Sequence, residues 1–169
     1  QNNQLKQGIW NKQMGELFSG KTLGIVGMGN IGKQLVKLLS GFNLKILAYD
    51  LTPDEYFANK YDIHYTDFDN LLQKSDLISI HLNLTQDTRQ LFNYSVFKKM
   101  KRSPIIINAS RGEIINETDL IKALDEDIIQ GAGLDVFENE PYSGPLINYD
   151  NVILTPHIGA YAKEIRMKM

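Results

Sequence analysis

From about Lys21 onward, short runs of β-forming residues alternate with amphipathic stretches, and this alternation restricts the fold more than any other feature of the chain. A strand, a helix and a second strand form a βαβ unit, and successive units build a parallel sheet. Several runs are apolar throughout, as expected of strands covered on both faces. The pattern predicts an α/β, doubly wound sheet of about seven mostly parallel strands with helices on both faces. The predicted strands are 22–26, 44–49, 63–65, 77–81, 105–108, 129–136 and 152–154.

Two amphipathic stretches predict helices that pack on this sheet. In each, apolar residues recur at spacings of three or four, which places them on one helix face. The second stretch begins with Asn116, whose side chain can cap a helix, and Asp119 follows three positions later. The predicted apolar stripes are Ile31, Leu35, Leu38, Leu39 and Phe42 in the first helix and Leu120, Ile121, Leu124 and Ile128 in the second.

The 169 residues suffice for one domain with a buried core, and no linker rich in Pro, Gly or Ser divides them. We expect residues 1–19 to connect from an upstream domain, with Trp10 in a helix-compatible stretch. Residues 20–160 are predicted to form the sheet domain. Residues 161–169 are predicted to begin a helix that leads back to the upstream domain.

Charge and composition exclude several classes of protein. With 18 basic and 20 acidic residues the net charge is −2, so no nucleic-acid or membrane partner is expected. The apolar runs are far shorter than the roughly 20 residues that cross a bilayer. The absence of cysteine excludes a disulfide framework and cysteine-bound metal, and it favours a cytoplasmic setting.

A glycine-rich turn follows the first predicted strand. Gly27, Gly29 and Gly32 have the spacing of a dinucleotide fingerprint, and Asn30 and Ile31 would begin the helix. The first glycine permits the tight turn, the second admits the pyrophosphate, and the third lets helix and strand pack closely. This context predicts a Rossmann-type dinucleotide-binding domain.

Asp50 ends the second strand, where a carboxylate can bind the adenosine ribose. No arginine follows it directly, so NAD is predicted in preference to NADP. The alternative is a structural turn with Asp50 as a strand-end cap. The order of strand, turn, helix, second strand and acid favours the dinucleotide site.

Polar residues collect after three other strands, at the edge where ligands bind in parallel sheets. Arg111 follows the fifth strand, Asp135 closes the sixth with Glu140 a few residues beyond, and His157 follows the seventh. Arginine suits a substrate carboxylate, and histidine suits the proton transfer that accompanies hydride transfer. Taken singly, each residue has a structural alternative as a cap, a strand end, a turn or a core histidine.

Four ordered motifs resemble the D-isomer-specific 2-hydroxyacid dehydrogenase family. The resemblance extends from Gly8 and Trp10 to the start of the helix after His157. The motifs span residues 24–32, 108–112, 131–141 and 154–160.

The resemblance implies roles for individual residues. Arg111 would anchor the substrate carboxylate and carbonyl, His157 would be the acid/base, and Glu140 would hydrogen-bond to His157. The remaining implied cofactor contacts are Asp135 at the nicotinamide carboxamide, Leu82 and Asn83 beside the adenosine, and Ala109 and Ser110 nearby.

One assigned position departs from the family pattern, and two histidines stand outside these roles. Asn83 departs from the proline that many relatives carry. His64 is predicted at the surface, and His81 ends a strand without an assigned role. No metal site is expected, because the histidines lack ligand spacing and the family chemistry needs no metal.

The leading hypothesis is an NAD-dependent oxidoreductase that transfers a hydride between NAD(H) and a small D-2-hydroxy acid/2-oxo acid pair. The isolated domain is expected to be inactive alone, and a homodimer is expected. The competing hypothesis is an NAD-responsive binding protein, such as a corepressor-like member of the same family. A third is the NAD-binding domain of an L-specific dehydrogenase, against which the position of Arg111 and the run at 135–141 argue.

Overall fold

Seven strands pair in parallel into one sheet in the computed structural model, which describes residues 2–12 and 14–167. In chain order they are β1 (Thr22–Val26), β2 (Lys45–Tyr49), β3 (Ile63–Tyr65), β4 (Leu77–Ile80), β5 (Ile105–Asn108), β6 (Gly131–Leu134) and β7 (Val152–Leu154). Across the sheet the order is β3-β2-β1-β4-β5-β6-β7, so β1 to β3 are added toward one side and β4 to β7 toward the other. This is the Rossmann order with a seventh strand added at one edge.

The strands are connected by short helices. Within the described residues, three additional 3₁₀ turns lie at Ser40–Phe42, Gly112–Ile114 and Pro145–Asn148. The α-helices are α1 (Asn2–Lys6), α2 (Asn30–Leu39), α3 (Glu55–Tyr61), α4 (Phe68–Lys74), α5 (Tyr94–Phe97), α6 (Glu117–Asp125) and α7 (Lys163–Arg166).

Two apolar cores cover the two faces of the sheet. Neighbouring residues of β1 point to opposite faces, so Ile25 belongs to the core under α2 and α3 while Val26 belongs to the core under α4, α5 and α6. Both side chains are fully buried, as is every residue of β1 to within a few per cent. The prediction of a doubly wound sheet with helices on both faces is confirmed.

The strand bounds differ from prediction mainly in β6. The predicted strand 129–136 pairs only over Gly131–Leu134. Ile129 and Val136 are buried, but they lie beyond the paired residues, because burial extends past the ends of the hydrogen-bonded ladder. The strands at 44–49 and 77–81 are each one residue shorter than predicted, and the other four match.

The predicted apolar stripe on α2 is wrong in part. Ile31, Leu38 and Phe42 are exposed, and Phe42 lies past the end of the helix in a 3₁₀ turn. The buried face is instead formed by Gly32 and Val36, flanked by the partly buried Leu35 and Leu39. Spacing alone missed this face because Gly32, which packs most closely, has no apolar side chain.

The prediction for α6 is confirmed except for Ile128, which lies past the end of the helix at Asp125. Asn116 caps the helix, accepting a hydrogen bond from the N–H of Asp119 at 3.0 Å. Leu120 and Leu124 are buried, and Ile121 and Ile128 pack against them.

The two terminal segments differ from expectation. Helix α1 ends at Lys6, and Trp10 lies in an exposed loop after Gly8, whose φ of +78° interrupts helical structure. Helix α7 begins at Lys163 rather than at 161, and residues 168–169 of the predicted helix lie outside the described residues. In the described part of the chain, every helix is too short or too polar to cross a membrane.

Candidate functional site

The candidate site lies at the carboxyl edge of the sheet, where the polar residues singled out above follow their strands. The glycine loop follows β1, Asp50 follows β2, Leu82 follows β4, and the loop of Arg111 follows β5. Asp135 and His157 follow β6 and β7. All strands are parallel, so these loops emerge together at the carboxyl ends of the strands.

The three glycines of the loop are held in different ways. Gly27 has φ of +96°, and a Cβ added there would lie 2.7 Å from the carbonyl oxygen of His81. A Cβ on Gly32 would lie 2.6 Å from the carbonyl oxygen of Gly27, so its absence lets α2 approach β1. A Cβ on Gly29 would meet no atom of the chain within 4 Å. The open space above Gly29 is where a dinucleotide pyrophosphate fits.

The start of α2 adds electrostatic attraction for phosphate. Gly29 is the N-cap residue and offers no side-chain cap, and Asn30 and Ile31 are exposed in the first turn. N–H groups at a helix N-terminus bind anions directly and carry the positive end of the helix dipole. The residues present therefore fit a dinucleotide.

Asp50 lies next to the glycine loop. Its Oδ2 accepts a hydrogen bond from the Met28 N–H at 2.7 Å, and its Oδ1 accepts one from the Thr52 N–H at 2.9 Å. The carboxylate therefore braces the loop from the end of β2. The Thr52 hydroxyl also donates to Oδ1 at 3.2 Å. A carboxylate has about four acceptor positions, so these three contacts leave room for a ribose hydroxyl.

The loop after β4 packs against the glycine loop. The N–H of His81 donates to the carbonyl oxygen of Val26 at 2.8 Å, and its Nε2 lies 2.9 Å from the Ser79 hydroxyl. Burial lowers the pKa of His81, so the ring is a neutral structural group at neutral pH. Leu82 is half-buried, and the exposed Asn83 accepts a hydrogen bond from Thr88 Oγ1 at 2.7 Å through its carbonyl oxygen.

A buried asparagine organises the loop after β5. Asn108 is 1% exposed, and its Oδ1 accepts hydrogen bonds from the N–H and hydroxyl of Ser110 at 3.0 and 2.7 Å. Its Nδ2 donates to the carbonyl oxygen of Arg111 at 2.9 Å. Gly112 packs on the backbone of Phe137, only 2.0 Å from where its Cβ would stand. Sequence reasoning did not assign these roles, although a polar residue that ends an apolar strand could have indicated Asn108.

The loop that Asn108 holds in place presents its own side chains to the surface. Arg111 is exposed, and its Nη1 donates to the carbonyl oxygen of Ser110 at 2.6 Å. Ala109 is also exposed and Ser110 is half-buried. The guanidinium retains donors that can bind a carboxylate.

Asp135 joins the end of β6 to the loop after β7. The carboxylate is buried and accepts hydrogen bonds from the hydroxyl of Thr155 and from the N–H groups of Ile158 and Gly159, the latter two at 2.9 and 2.8 Å. Burial by itself would raise the pKa of Asp135, but these hydrogen bonds outweigh it and hold the pKa below its usual range. Thr155 is a further residue that sequence reasoning missed.

His157 and Glu140 form a hydrogen-bonded pair. The Nδ1 of His157 lies 2.9 Å from Glu140 Oε2, and Glu140 Oε1 accepts from the Phe137 N–H at 3.1 Å. The bond to His157, aided by that N–H, holds the pKa of Glu140 below its usual range. His157 has φ of +53°, a left-handed conformation that is uncommon outside glycine and is found at functional sites.

The groups proposed for catalysis share one cavity. Arg111, Glu140 and His157 all line a cavity of about 230 Å³ with Gly112 and Phe137. A larger cavity of about 630 Å³ adjoins it at Glu140 and His157 and is lined by apolar groups, including Tyr142 and Leu154. The edge thus places a guanidinium and an imidazole–carboxylate pair around common space.

A still larger cavity lies at the opposite edge of the sheet. Its volume is about 770 Å³, and its lining includes the residues that open β4 and β5, the side chains of Asp76 and Arg102, and part of the segment before β1. Ligands of open parallel sheets bind at the carboxyl ends of the strands, so we do not assign this cavity to the dinucleotide. His64 also lies away from the site and is exposed, as predicted.

A sheet of this order with a glycine loop and an acid after β2 defines the class of dinucleotide-binding dehydrogenase domains. Within that class, the family model for the D-isomer specific 2-hydroxyacid dehydrogenase NAD binding domain matches residues 1–159. The chain belongs to this family, and it is an NAD-binding domain. The resemblance noted from the four motifs is confirmed.

Individual relatives agree with the family. A glyoxylate reductase of Thermofilum pendens is 41% identical over an alignment 180 residues long, which covers 98% of this chain and 51% of that protein. The crystal structure of a glyoxylate reductase from Paecilomyes thermophila matches with a TM-score of 0.91 at 33% identity, covering 99% of this chain and 52% of the other. D-lactate dehydrogenase with NAD+ from Lactobacillus jensenii matches with a TM-score of 0.86 at 30% identity, covering 98% and 55%. The chain thus spans about half the length of these relatives.

Proposed function

We propose that the protein to which this domain belongs transfers a hydride between NAD(H) and a D-2-hydroxy acid/2-oxo acid pair. The observation that carries the proposal is the shared cavity of Arg111, Glu140 and His157 at the edge that bears the glycine loop. These side chains come from the ends of three different strands, and they combine carboxylate recognition with proton transfer.

Each group has a role that its chemistry supports. Arg111 binds the substrate carboxylate and orients the carbonyl, because a planar guanidinium forms two parallel hydrogen bonds with a carboxylate. His157 donates its proton to the developing alkoxide from Nε2, since its Nδ1 faces Glu140. Glu140 accepts a hydrogen bond from Nδ1 and so orients the ring.

The chain's own groups would hold the cofactor along the same edge. The glycine loop with Asn30 and Ile31 binds the pyrophosphate and Asp50 the adenosine ribose, which favours NADH over NADPH. When bound, NADH supplies the hydride. The further contacts are Leu82 and Asn83 on the adenosine side, Asp135 at the nicotinamide carboxamide, and Ala109 and Ser110 near the cofactor.

The activities named for the relatives support a small 2-oxo acid as the substrate class. Two are glyoxylate reductases and one is a D-lactate dehydrogenase. The competing interpretation, a corepressor-like binding protein, has no support among these three relatives.

The proposal extends to the arrangement of the whole protein. Residues 1–19 connect the domain to an upstream substrate domain, residues 20–160 form the NAD-binding domain, and residues 161–169 lead back. The protein is a homodimer in the cytoplasm. The match to only half of each relative supports the existence of a substrate domain.

Steady-state turnover by the full-length protein tests the proposal. The protein is assayed with NADH and a panel of 2-oxo acids: glyoxylate, hydroxypyruvate, pyruvate and phenylpyruvate. At least one acid whose product is chiral should be reduced to the D-hydroxy acid. His157→Ala should lower kcat by about 100- to 10,000-fold, the usual contribution of general acid/base catalysis, with NADH affinity unchanged. NADH binding without turnover of any acid would instead favour the corepressor-like interpretation.

A further inference from the structure

An ion pair beside the glycine loop has no part in the proposed reaction. Lys33 follows Gly32 in the first turn of α2, and its Nζ lies 2.5 Å from Oδ2 of Asp54. Asp54 is itself held in place: its Oδ1 accepts from the Phe57 N–H at 3.0 Å, and its N–H donates to the Tyr65 hydroxyl at 3.1 Å. The partner of Lys33 is therefore fixed by the start of α3.

Lys33 is also close enough to Asp50, the carboxylate proposed to bind the ribose, to be influenced by its charge. The hydrogen bond to Asp54 raises the pKa of Lys33 against the effect of burial, and the negative charges of Asp54 and Asp50 raise it further. The ammonium is therefore charged and lies within the field of two carboxylates. Lys33, Asp50 and Asp54 together carry one positive and two negative charges, so this group of three side chains is net negative.

The charge of Asp54 is not required for capping α3. Asp67 caps α4 through the same contact, but Asn93 caps α5 and Asn116 caps α6 with neutral amides. Asparagine and aspartate are about equally good N-cap residues. An asparagine at position 54 could cap α3 equally well. What the charge of Asp54 adds is the ion pair with Lys33.

We propose that Asp54 is a specificity residue that withholds Lys33 from a phosphate on the adenosine ribose. A free ammonium beside Asp50 would offset the repulsion between that carboxylate and the 2′-phosphate of NADPH. Pairing with Asp54 removes this compensation, so two carboxylates rather than one discriminate against NADPH. The inference rests on the proposed binding of NAD(H) at this edge.

Titration of the full-length protein with NADH and NADPH, followed by calorimetry, tests the inference by affinity rather than by turnover. Asp54→Asn keeps a capping side chain and removes the charge. The ratio of Kd for NADPH to Kd for NADH should fall roughly fivefold, the upper range for a solvent-accessible charge pair, and the gain should vanish near 1 M salt. Lys33→Met should raise the ratio, and adding it to Asp54→Asn should abolish the gain.

Two matched variants separate the ion pair from general effects of charge. Asp67→Asn changes an equivalent helix cap, and Lys37→Met removes a second lysine that lies over the Phe57 ring at 5.9 Å, beside Lys33 at 5.4 Å. Both should leave the ratio unchanged.

An unchanged ratio in Asp54→Asn, or a gain that survives in the double variant, would overturn the inference. If Asp54→Asn does not fold, an unchanged ratio in Lys33→Met, which retains the cap, would overturn it as well. Wild-type protein that binds neither cofactor would contradict the proposed function instead.

Discussion

At the scale of single residues, three carboxylates of the candidate site also bind backbone N–H groups. Asp50 binds Met28, and Glu140 binds Phe137. Asp135 binds two successive N–H groups in the loop that carries His157. A strand-end cap and a functional residue were alternatives in the sequence, but one carboxylate can be both. The same bonds that fix the loops also lower the pKa of Asp135 and of Glu140.

Asp135→Asn should lower the stability of the domain by about 2 kcal/mol, the usual contribution of hydrogen bonds to a buried charged group. In asparagine, one of the two oxygens is replaced by an NH₂ group, which would face a backbone N–H donor of Ile158 or Gly159 instead of accepting its hydrogen bond. Urea denaturation of the 169-residue chain measures the effect. Asp69→Asn, at an exposed carboxylate paired with Lys99, is the matched control and should change stability by less than about 0.5 kcal/mol.

The effect of Asp135→Asn should depend on pH. The pKa of Asp135 is lowered in the folded state, so its contribution is fully present above the unfolded value of about 3.9 and is lost as pH falls through the folded value. The difference in the free energy of unfolding between wild type and variant should be constant above about pH 5 and should become smaller below about pH 4. A gap that widened in acid would contradict this assignment.

At the scale of elements, the sequence predicted strands better than it predicted helix faces. A strand buried on both sides, such as β1, is a continuous apolar run that few other structures produce. The buried face of α2 depends on Gly32, whose contribution is the absence of a side chain. Apolar spacing cannot register a close approach, and for that reason the exposed Leu38 was wrongly placed against the sheet.

The candidate site was predictable where a residue acts through its own chemistry. Arg111, Glu140 and His157 stand out as charged or titratable groups after strands, and the structure brings them to one cavity. Asn108 and Thr155 act by holding other residues in place. The contact of Thr155 joins segments that are distant in the chain, and the contact of Asn108 depends on the geometry of its loop. Neither can be predicted from a single sequence.

Substitutions of two glycines should separate binding from folding in the loop between β1 and α2. Gly29→Ala adds a Cβ into open space at a φ of −73°, so the fold should be kept apart from a small capping cost. NADH should bind roughly tenfold more weakly, because the methyl group occupies the approach of the pyrophosphate. Gly32→Ala should instead destabilise the domain by about 1–3 kcal/mol, since its Cβ would meet the Gly27 carbonyl.

Calorimetric titration and thermal unfolding of both variants make the comparison. The expected pattern is a binding defect without a large loss of stability in Gly29→Ala and a loss of stability in Gly32→Ala. Normal NADH affinity in Gly29→Ala would exclude the pyrophosphate from this position.

At the scale of the whole molecule, large apolar side chains remain on the surface of the described chain. Ile9 and Trp10 are 50% and 78% exposed in the segment before β1, and Leu38 and Phe42 are exposed on and after α2. Clusters of exposed apolar residues mark interaction surfaces more often than isolated ones do, and tryptophan is enriched where subunits bind most tightly. The segment around Gly8 to Trp10 is therefore the proposed place of subunit contact.

We predict that the full-length protein sediments as a dimer and that Trp10→Ser weakens the dimer about 30-fold or more, as expected when a tryptophan that carries about 2 kcal/mol of binding energy is removed. Ile153→Ser, at a residue that is 72% exposed on the edge strand β7, is the matched control, since it removes an apolar side chain remote in sequence from the proposed contact. Sedimentation velocity over a range of concentrations gives the dissociation constant of each variant. A monomeric wild type would refute the dimer, whereas a dimer weakened equally by both substitutions would place the contact elsewhere than at Trp10.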